Sequence, residues 1–196
     1  MEADWEIEIG PGAPLIDANW PGFVDLRFDP RLPSGTLLQR ARNLAEAADL
    51  PALAETLVRL NSQHSPVWTS KCDVWLVDAD EIDPYELDAS PQEAQSAWAC
   101  YIDLLPRSDQ LWITPEMAAA SCKALCARLH AIPLSACRAC RIDLIVRLAV
   151  IAPDLQDHGV TAYLTACAAT AAAAKQRLAQ TLAAFADVLS PQSTVE

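Results

Sequence analysis

Residues 140–151 have the sequence CRIDLIVRLAVI, in which every second residue from Ile142 to Val150 is aliphatic. A period of two residues is the pattern of a β-strand that buries one of its faces. The sequence therefore predicts a strand over 140–151. Its other face would carry polar side chains, among them Asp143 and Arg147.

The centre of this stretch, an aspartate between two aliphatic residues, recurs along the chain. The copies are Val24-Asp25-Leu26, Ile102-Asp103-Leu104 and Ile142-Asp143-Leu144, with Cys72-Asp73-Val74 as a looser fourth. Each copy has the alternation of a half-buried strand, with the acid on the less buried side. Together they predict one sheet that carries a row of carboxylates on one face.

Further strands and helices follow from alternation, helical spacing and capping residues. Strands are predicted at 5–9, 22–29, 67–77, 99–105 and 140–151. Helices are predicted at 36–60, with a kink or a break at Pro51, at 114–130 and at 160–189. One or two helical turns are predicted after the Ser90-Pro91-Gln92-Glu93 capping box.

The order strand, helix, strand, strand, helix, strand predicts an α+β two-layer sandwich. Its core is a ferredoxin-like βαββαβ unit with an antiparallel sheet and helices on one face. An N-terminal arm, 1–20, adds one short strand, and 160–189 adds a long C-terminal helix. The expected order across the sheet is 140–151, 22–29, 99–105, 67–77, within a single domain covering 1–196.

Composition restricts the class of protein. The chain has 196 residues, 52% of them hydrophobic, and a net charge of −12. That charge repels phosphate backbones and anionic lipids, so nucleic acid and membranes are not expected partners. No uninterrupted apolar window of about 18 residues is present. The acidic N-terminus does not resemble a signal peptide, and a cytoplasmic location with seven reduced cysteines is the expectation.

The aspartate row has two interpretations. In the first, the acids pair with arginines across the strands and the face is structural or covered by a partner. In the second, Asp25, Asp103 and Asp143 hold a divalent cation such as Mg²⁺ and form the catalytic site of an enzyme that acts on a phosphate-bearing substrate.

The cysteines have three interpretations. Cys126, His130, Cys137 and Cys140 are the ligand types of a structural zinc site. The spacing of Cys122 and Cys126 on one helical stripe instead indicates thiols buried in the core. A redox pair formed by the CxxC at Cys137 and Cys140 is the third interpretation.

Phosphate-binding glycine loops and the common hydrolase and kinase motifs are absent from the sequence. The expected function is therefore a non-catalytic small-molecule-binding or protein-interaction domain, with the metal-dependent enzyme and the zinc-stabilised module as alternatives. No cofactor is expected under the first hypothesis, and Mg or Zn under the others. Strand parity places Phe23, Trp75, Tyr101, Leu105 and Ile145 on the helix-free face. We expect a homodimer. The helix 160–189 is the available cover of that face, either by folding back on its own sheet or by reaching across a two-fold axis.

Overall fold

A computed structural model describes residues 1–10, 15–16, 23–107, 112–133, 137–152 and 155–190. Six strands form one mixed sheet in the order β1-β5-β6-β4-β3, and β2 also pairs with β5. β1 and β2 run parallel to β5, and the remaining pairs are antiparallel. The strands are β1 Glu2–Ile7, β2 Leu15–Ile16, β3 Val67–Val77, β4 Ser96–Pro106, β5 Cys140–Ala152 and β6 Leu155–Ala168.

The helices form the second layer, so the protein is an α+β two-layer sandwich. They are α1 Thr36–Arg42, α2 Ala45–Asp49, α3 Pro51–Leu60, α4 Pro115–His130 and α5 Ala171–Leu189. One core joins the alternate residues of the strands, such as Ile142 and Leu164, to helix residues such as Leu125, Leu178 and Phe185. None of the helices in the described ranges has the length and apolar composition needed to cross a membrane.

The segment predicted as the first strand of the ferredoxin-like core, 22–29, has no strand in its described part, 23–29. Two aspartates form local turns there instead. Asp25 accepts a hydrogen bond from the Arg27 amide at 3.0 Å, and Asp29 accepts one from the Arg31 amide at 2.9 Å. Such side-chain bonds to the nearby backbone compete with sheet pairing.

β6 occupies the place in the sheet that was predicted for 22–29, between the strands at 140–151 and 99–105. The prediction of helix from residue 160 was therefore wrong for residues 160–168. In this stretch Thr161, Tyr163 and Thr165 alternate with small or aliphatic residues, and β-branched and aromatic side chains favour strands. The helix α5 begins only after Thr170, whose hydroxyl accepts a hydrogen bond from the Ala173 amide.

The other differences are local. The predicted helix 36–60 is three short helices, and Pro51 occupies the first turn of the third. The capping box at Ser90 and Glu93 forms its reciprocal hydrogen bonds in a turn rather than in a helix. The N-terminal strand is Glu2–Ile7 and pairs in parallel with β5, so the sheet is not wholly antiparallel.

The last helix packs on the same side of the sheet as the other helices. Leu178, Leu182 and Phe185 of α5 are fully buried in the shared core. The alternative in which this helix folds back over the helix-free face of its own sheet is therefore wrong, and the homodimer stays a prediction.

Gly159 of β6 gives a test of the strand assignment. An added Cβ at this position would lie 2.7 Å from Leu15 Cδ2, 2.9 Å from the Leu104 carbonyl oxygen and 3.0 Å from Leu105 Cδ2. Gly159→Ala should therefore lower the free energy of unfolding by about 1–3 kcal/mol, the usual cost of overpacking, as measured by urea denaturation. If residue 159 instead lay in an exposed loop before a helix, the substitution would be neutral or stabilising.

Candidate functional site

The helix-free side of the sheet carries a row of side chains in register across five strands. From β1 to β3 the paired residues are Asp4, Asp143, Tyr163, Tyr101 and Asp73. We call the four residues Asp143, Tyr163, Tyr101 and Asp73 the tyrosine row. Two aromatic rings thus lie between two carboxylates at the centre of this face.

The rings of the row contact each other and a third aromatic side chain. The Tyr101 and Tyr163 ring centroids are 6.0 Å apart at 48°, and those of Trp75 and Tyr101 are 6.4 Å apart at 52°. Burial and the nearby Asp103 and Asp73 carboxylates raise the pKa of Tyr101 to about 12. The Tyr101 hydroxyl therefore stays protonated at neutral pH and can donate a hydrogen bond.

The carboxylates at the two ends of the row differ in whether an arginine pairs with them. Arg141 Nη2 lies 2.7 Å from Asp143 Oδ1 and 3.9 Å from Asp4 Oδ2. Asp73 is exposed, and its Oδ1 accepts a hydrogen bond from the Val74 amide. Within the described ranges no basic side chain forms a salt bridge with Asp73. Asp73 is thus the exposed carboxylate of the row, whereas Asp143 is paired with Arg141.

A groove of about 500 Å³ opens beside this end, where a bulge shifts the register of β3 between Thr69 and Cys72. We call it the β3 groove. Glu46 of α2, Asp73 and Tyr101 line it. Lys71 lines it as well and already has an interaction partner. The groove thus brings a second carboxylate, from the helix layer, towards the tyrosine row.

Both ends of the helix-free face are closed by small apolar clusters. The loop 78–95 between β3 and β4 is rich in Asp and Glu, and we call it the acidic loop. Its Leu87 and Ala94 pack on Ala97 and Cys167 at one end. Leu15, Trp68, Leu105 and Ala149 pack together at the other. In the described part of the chain, the centre that holds the tyrosine row is the stretch left without such cover.

Asp103 is a buried acid on this face. It is 7% exposed and accepts a hydrogen bond from the Thr161 hydroxyl at 2.7 Å. Burial raises the pKa of the Asp103 carboxyl, and the Thr161 bond with the charges of Lys71 and Arg147 opposes that effect only in part. The Asp103 carboxylate is thus stabilised by one hydrogen bond from a hydroxyl and by the charges of two basic side chains.

The structure does not bring the three aspartates of the metal hypothesis together. Asp25 lies in the coil before α1 and pairs with Arg27 at 2.8 Å. Asp103 and Asp143 lie on strands separated by β6, where they pair with Thr161 and Tyr163. Two strand spacings separate them by roughly 10 Å, which is too far for one cation to bind both.

The four residues of the zinc hypothesis also lie apart. Cys126 and His130 are on α4, where His130 Nε2 accepts a hydrogen bond from the Ala3 amide at 3.2 Å. Cys137 precedes β5, and Cys140 is the first residue of that strand. Over the ranges the structure describes, no group of three Cys, His, Asp or Glu residues is close enough to hold a metal ion. All seven cysteines are free thiols, and Cys122 and Cys126 are buried in the core as predicted.

Sequence reasoning found part of the row and missed its centre. Strand parity correctly placed Trp75, Tyr101, Leu105 and Ile145 on the helix-free face, whereas Phe23 lies outside any strand. Tyr163 was missed because the alanines around it suggested a helix. The signal that could have found it is the alternation of Thr161, Tyr163 and Thr165.

Comparison of the chain with protein-family models, with curated proteins and with solved structures finds no match.

Asp103→Asn tests the electrostatics of this face. The folded protein holds the Asp103 proton to a higher pH than the unfolded chain, whose pKa is near 3.8. The contribution of Asp103 to the free energy of unfolding is therefore fully present below pH 3.8. It falls as pH rises from there through the raised pKa of the folded state. Asparagine can still accept the Thr161 bond and has no charge to bury. We expect the variant to match the wild type near pH 3.5 and to exceed it at pH 7 by on the order of 1 kcal/mol, in urea denaturation at both values.

A loss of stability at pH 7 would show that the Asp103 charge is compensated more fully than its described neighbours allow. Melting curves with millimolar Mg²⁺ or Mn²⁺ serve as the control. A metal-dependent rise that Asp103→Asn abolishes would identify a cation site instead.

Proposed function

We propose that the protein is a non-catalytic interaction domain that binds a positively charged segment of another protein across the tyrosine row. The observation that carries the proposal is the register that places Tyr163 and Tyr101 between Asp143 and Asp73. A lysine or arginine side chain is attracted to the face of an aromatic ring and to a carboxylate beside it. The row presents both in one line.

The β3 end of the row supplies the site for the cation. Glu46 and Asp73 line the β3 groove together with Tyr101, and the groove of about 500 Å³ has room for a long side chain. The chain already places cations over rings elsewhere, with Arg27 over Trp68 at 5.0 Å and Lys175 over Trp98 at 4.4 Å.

The shape of the face favours an extended segment. The paired positions from Asp4 to Asp73 cross five strands, which is roughly 19 Å at about 4.8 Å per strand. An extended peptide of about six residues spans this length at about 3.3 Å per residue. Basic side chains on such a segment can reach the groove and the row at the same time.

Charge also distinguishes this partner from a second copy of the chain. The net charge is −12, so two copies of the chain repel each other at long range. Like charges facing each other oppose association. We therefore propose a basic partner rather than homodimerisation as the use of this face.

The test is calorimetric titration of the purified chain with an eight-residue peptide that alternates arginine and glycine, against a peptide with glutamate in place of arginine. We expect the basic peptide alone to bind, and its affinity to fall with added salt. Tyr101→Leu and Asp73→Asn should each weaken binding about 2- to 5-fold, the scale of an exposed cation–π contact or ion pair.

Matched controls lie away from the row. Tyr85 is 89% exposed on the acidic loop, and Glu55 is exposed on α3. Tyr85→Leu and Glu55→Gln make the same chemical changes and should leave the affinity unchanged. Equal losses for the control and the row variants would show only non-specific attraction to an acidic protein. Light scattering that gives a dimer dissociated by Tyr101→Leu would assign the face to a second copy instead.

A further inference from the structure

A cleft of about 280 Å³ lies in the helix layer, on the side of the sheet opposite the tyrosine row. It is bounded by α4, by the last residue of α5 and by the sheet. Its apolar walls are formed by Val67, Leu104, Cys122, Leu125, Val160 and Leu189, and Trp112 adds an aromatic ring. All of these side chains are buried members of the main core cluster. The cleft is therefore an opening into the core.

Small side chains on α4 leave this space. Ser121, Cys122 and Ala124 line the cleft from the middle of the helix, opposite Leu104 and Val160 of the sheet. Protein interiors are close-packed and contain few voids larger than a water molecule. An apolar group bound in the cleft would gain the dispersion contacts that these small side chains do not supply.

The volume sets the size of that group. A cavity of about 150 Å³ is sufficient to hold benzene. A cleft of about 280 Å³ therefore accommodates an apolar tail of roughly eight carbon atoms, with space left at the mouth for a polar head group. Ala124 and Arg128 line the cleft and are exposed, so they mark this mouth.

Arg128 supplies a positive charge at the mouth. Its Nη1 donates a hydrogen bond to the Val188 carbonyl oxygen at 2.9 Å, near the end of α5. Among the residues that the structure describes, no acidic side chain forms a salt bridge with Arg128. A guanidinium carries five N–H donors in one plane, so the edge that Val188 does not use can bind a carboxylate. Ser121, also in the wall, donates its hydroxyl proton to the Met117 carbonyl oxygen at 3.1 Å.

The charge of the whole chain limits the charge of the ligand. The net charge of −12 repels anions at long range. A single carboxylate experiences less of this repulsion than a phosphate or a dicarboxylate, and it still pairs with Arg128. Most of the affinity would then come from burial of the apolar tail.

We propose that this cleft binds a small monocarboxylate with an apolar tail of roughly eight carbon atoms. The tail lies between α4 and the sheet, and the carboxylate pairs with Arg128 at the mouth. The walls of the cleft belong to the core on the helix side of the sheet, so the site is separate from the tyrosine row. It does not depend on the binding of a basic segment there.

The experiment titrates the isotopically labelled full chain with butanoate, hexanoate, octanoate and dodecanoate, and follows amide and indole chemical shifts. We expect saturable shifts at residues 121–128, at Val160 and at the Trp112 indole. The affinity should rise about 3- to 4-fold with each methylene up to octanoate, the increment expected for burying one methylene. It should then level off, because the cleft is filled.

Three results of this titration would overturn the proposal. They are the lack of any saturable shift with millimolar octanoate, an affinity that keeps rising at the same rate to dodecanoate, and shifts centred on the tyrosine row. The second would show detergent-like association with the surface, and the third would assign the ligand to the opposite face.

Octanol and octylamine test the role of the charge on the wild-type chain, so this comparison needs no variant to fold. Octanoate should bind about 2- to 5-fold more tightly than octanol, the scale of a partly exposed ion pair. Octylamine should bind more weakly than either. Equal or tighter binding of octylamine would contradict the assignment of a carboxylate.

Variants at exposed positions locate the site. Ala124→Phe places a ring in the mouth and should weaken octanoate binding by about 10-fold or more, because the ring and the tail would overlap. Ala127 is exposed on the same helix and lies outside the cleft, so Ala127→Phe should leave the affinity unchanged. Arg128→Gln should remove the preference for octanoate over octanol, whereas Arg42→Gln, the same change at an exposed position of α1, should keep it. Equal effects of a variant and its control would overturn the proposal.

Discussion

The pairing of β6 with β5 on one side and β4 on the other is the constraint on which the rest of the structure depends. Through it Tyr163 faces Asp143 on one side and Tyr101 on the other. The same strand sends Leu164 and Ala162 into the core, where both are fully buried. A central strand hydrogen-bonds to a neighbour on each side, and its side chains point alternately to the two faces of the sheet. Its register therefore determines which residues enter the core and which lie on the helix-free face.

The helix layer and the open face follow from that strand. α5 begins three residues after β6 and returns across the sheet, where its apolar residues complete the core. With the helices on one side, the polar residues of five strands remain on the other. The acidic loop and β2 cover the two ends of that face, which leaves the tyrosine row between them. The proposed interaction surface is thus a consequence of the topology.

Alternation was sufficient to predict β3, β4 and β5, because their aliphatic residues are large and regularly spaced. It failed for β6, where Ala162, Ala166 and Ala168 fit a helix as well as a strand and the deciding contacts lie on other strands. Around Asp25 the error was the reverse, because a strand was predicted where none forms. Apolar and polar residues alternate regularly there, but the Asp25 carboxylate accepts local hydrogen bonds from Arg27. Parity on the correctly predicted strands placed Trp75 and Tyr101 on the open face. The CxxC was visible in sequence, whereas the left-handed conformation of Ala139 within it was not.

The most direct test of this account is a nuclear Overhauser measurement on isotopically labelled protein. With ring centroids 6.0 Å apart, Tyr101 and Tyr163 should show cross-peaks between their ring protons. Cross-strand contacts should also link residues 160–166 to both 100–104 and 140–146. The account is contradicted if the rings show no cross-peak and residues 160–168 give the sequential i to i+3 contacts of a helix, because the central strand and the tyrosine row would then not exist.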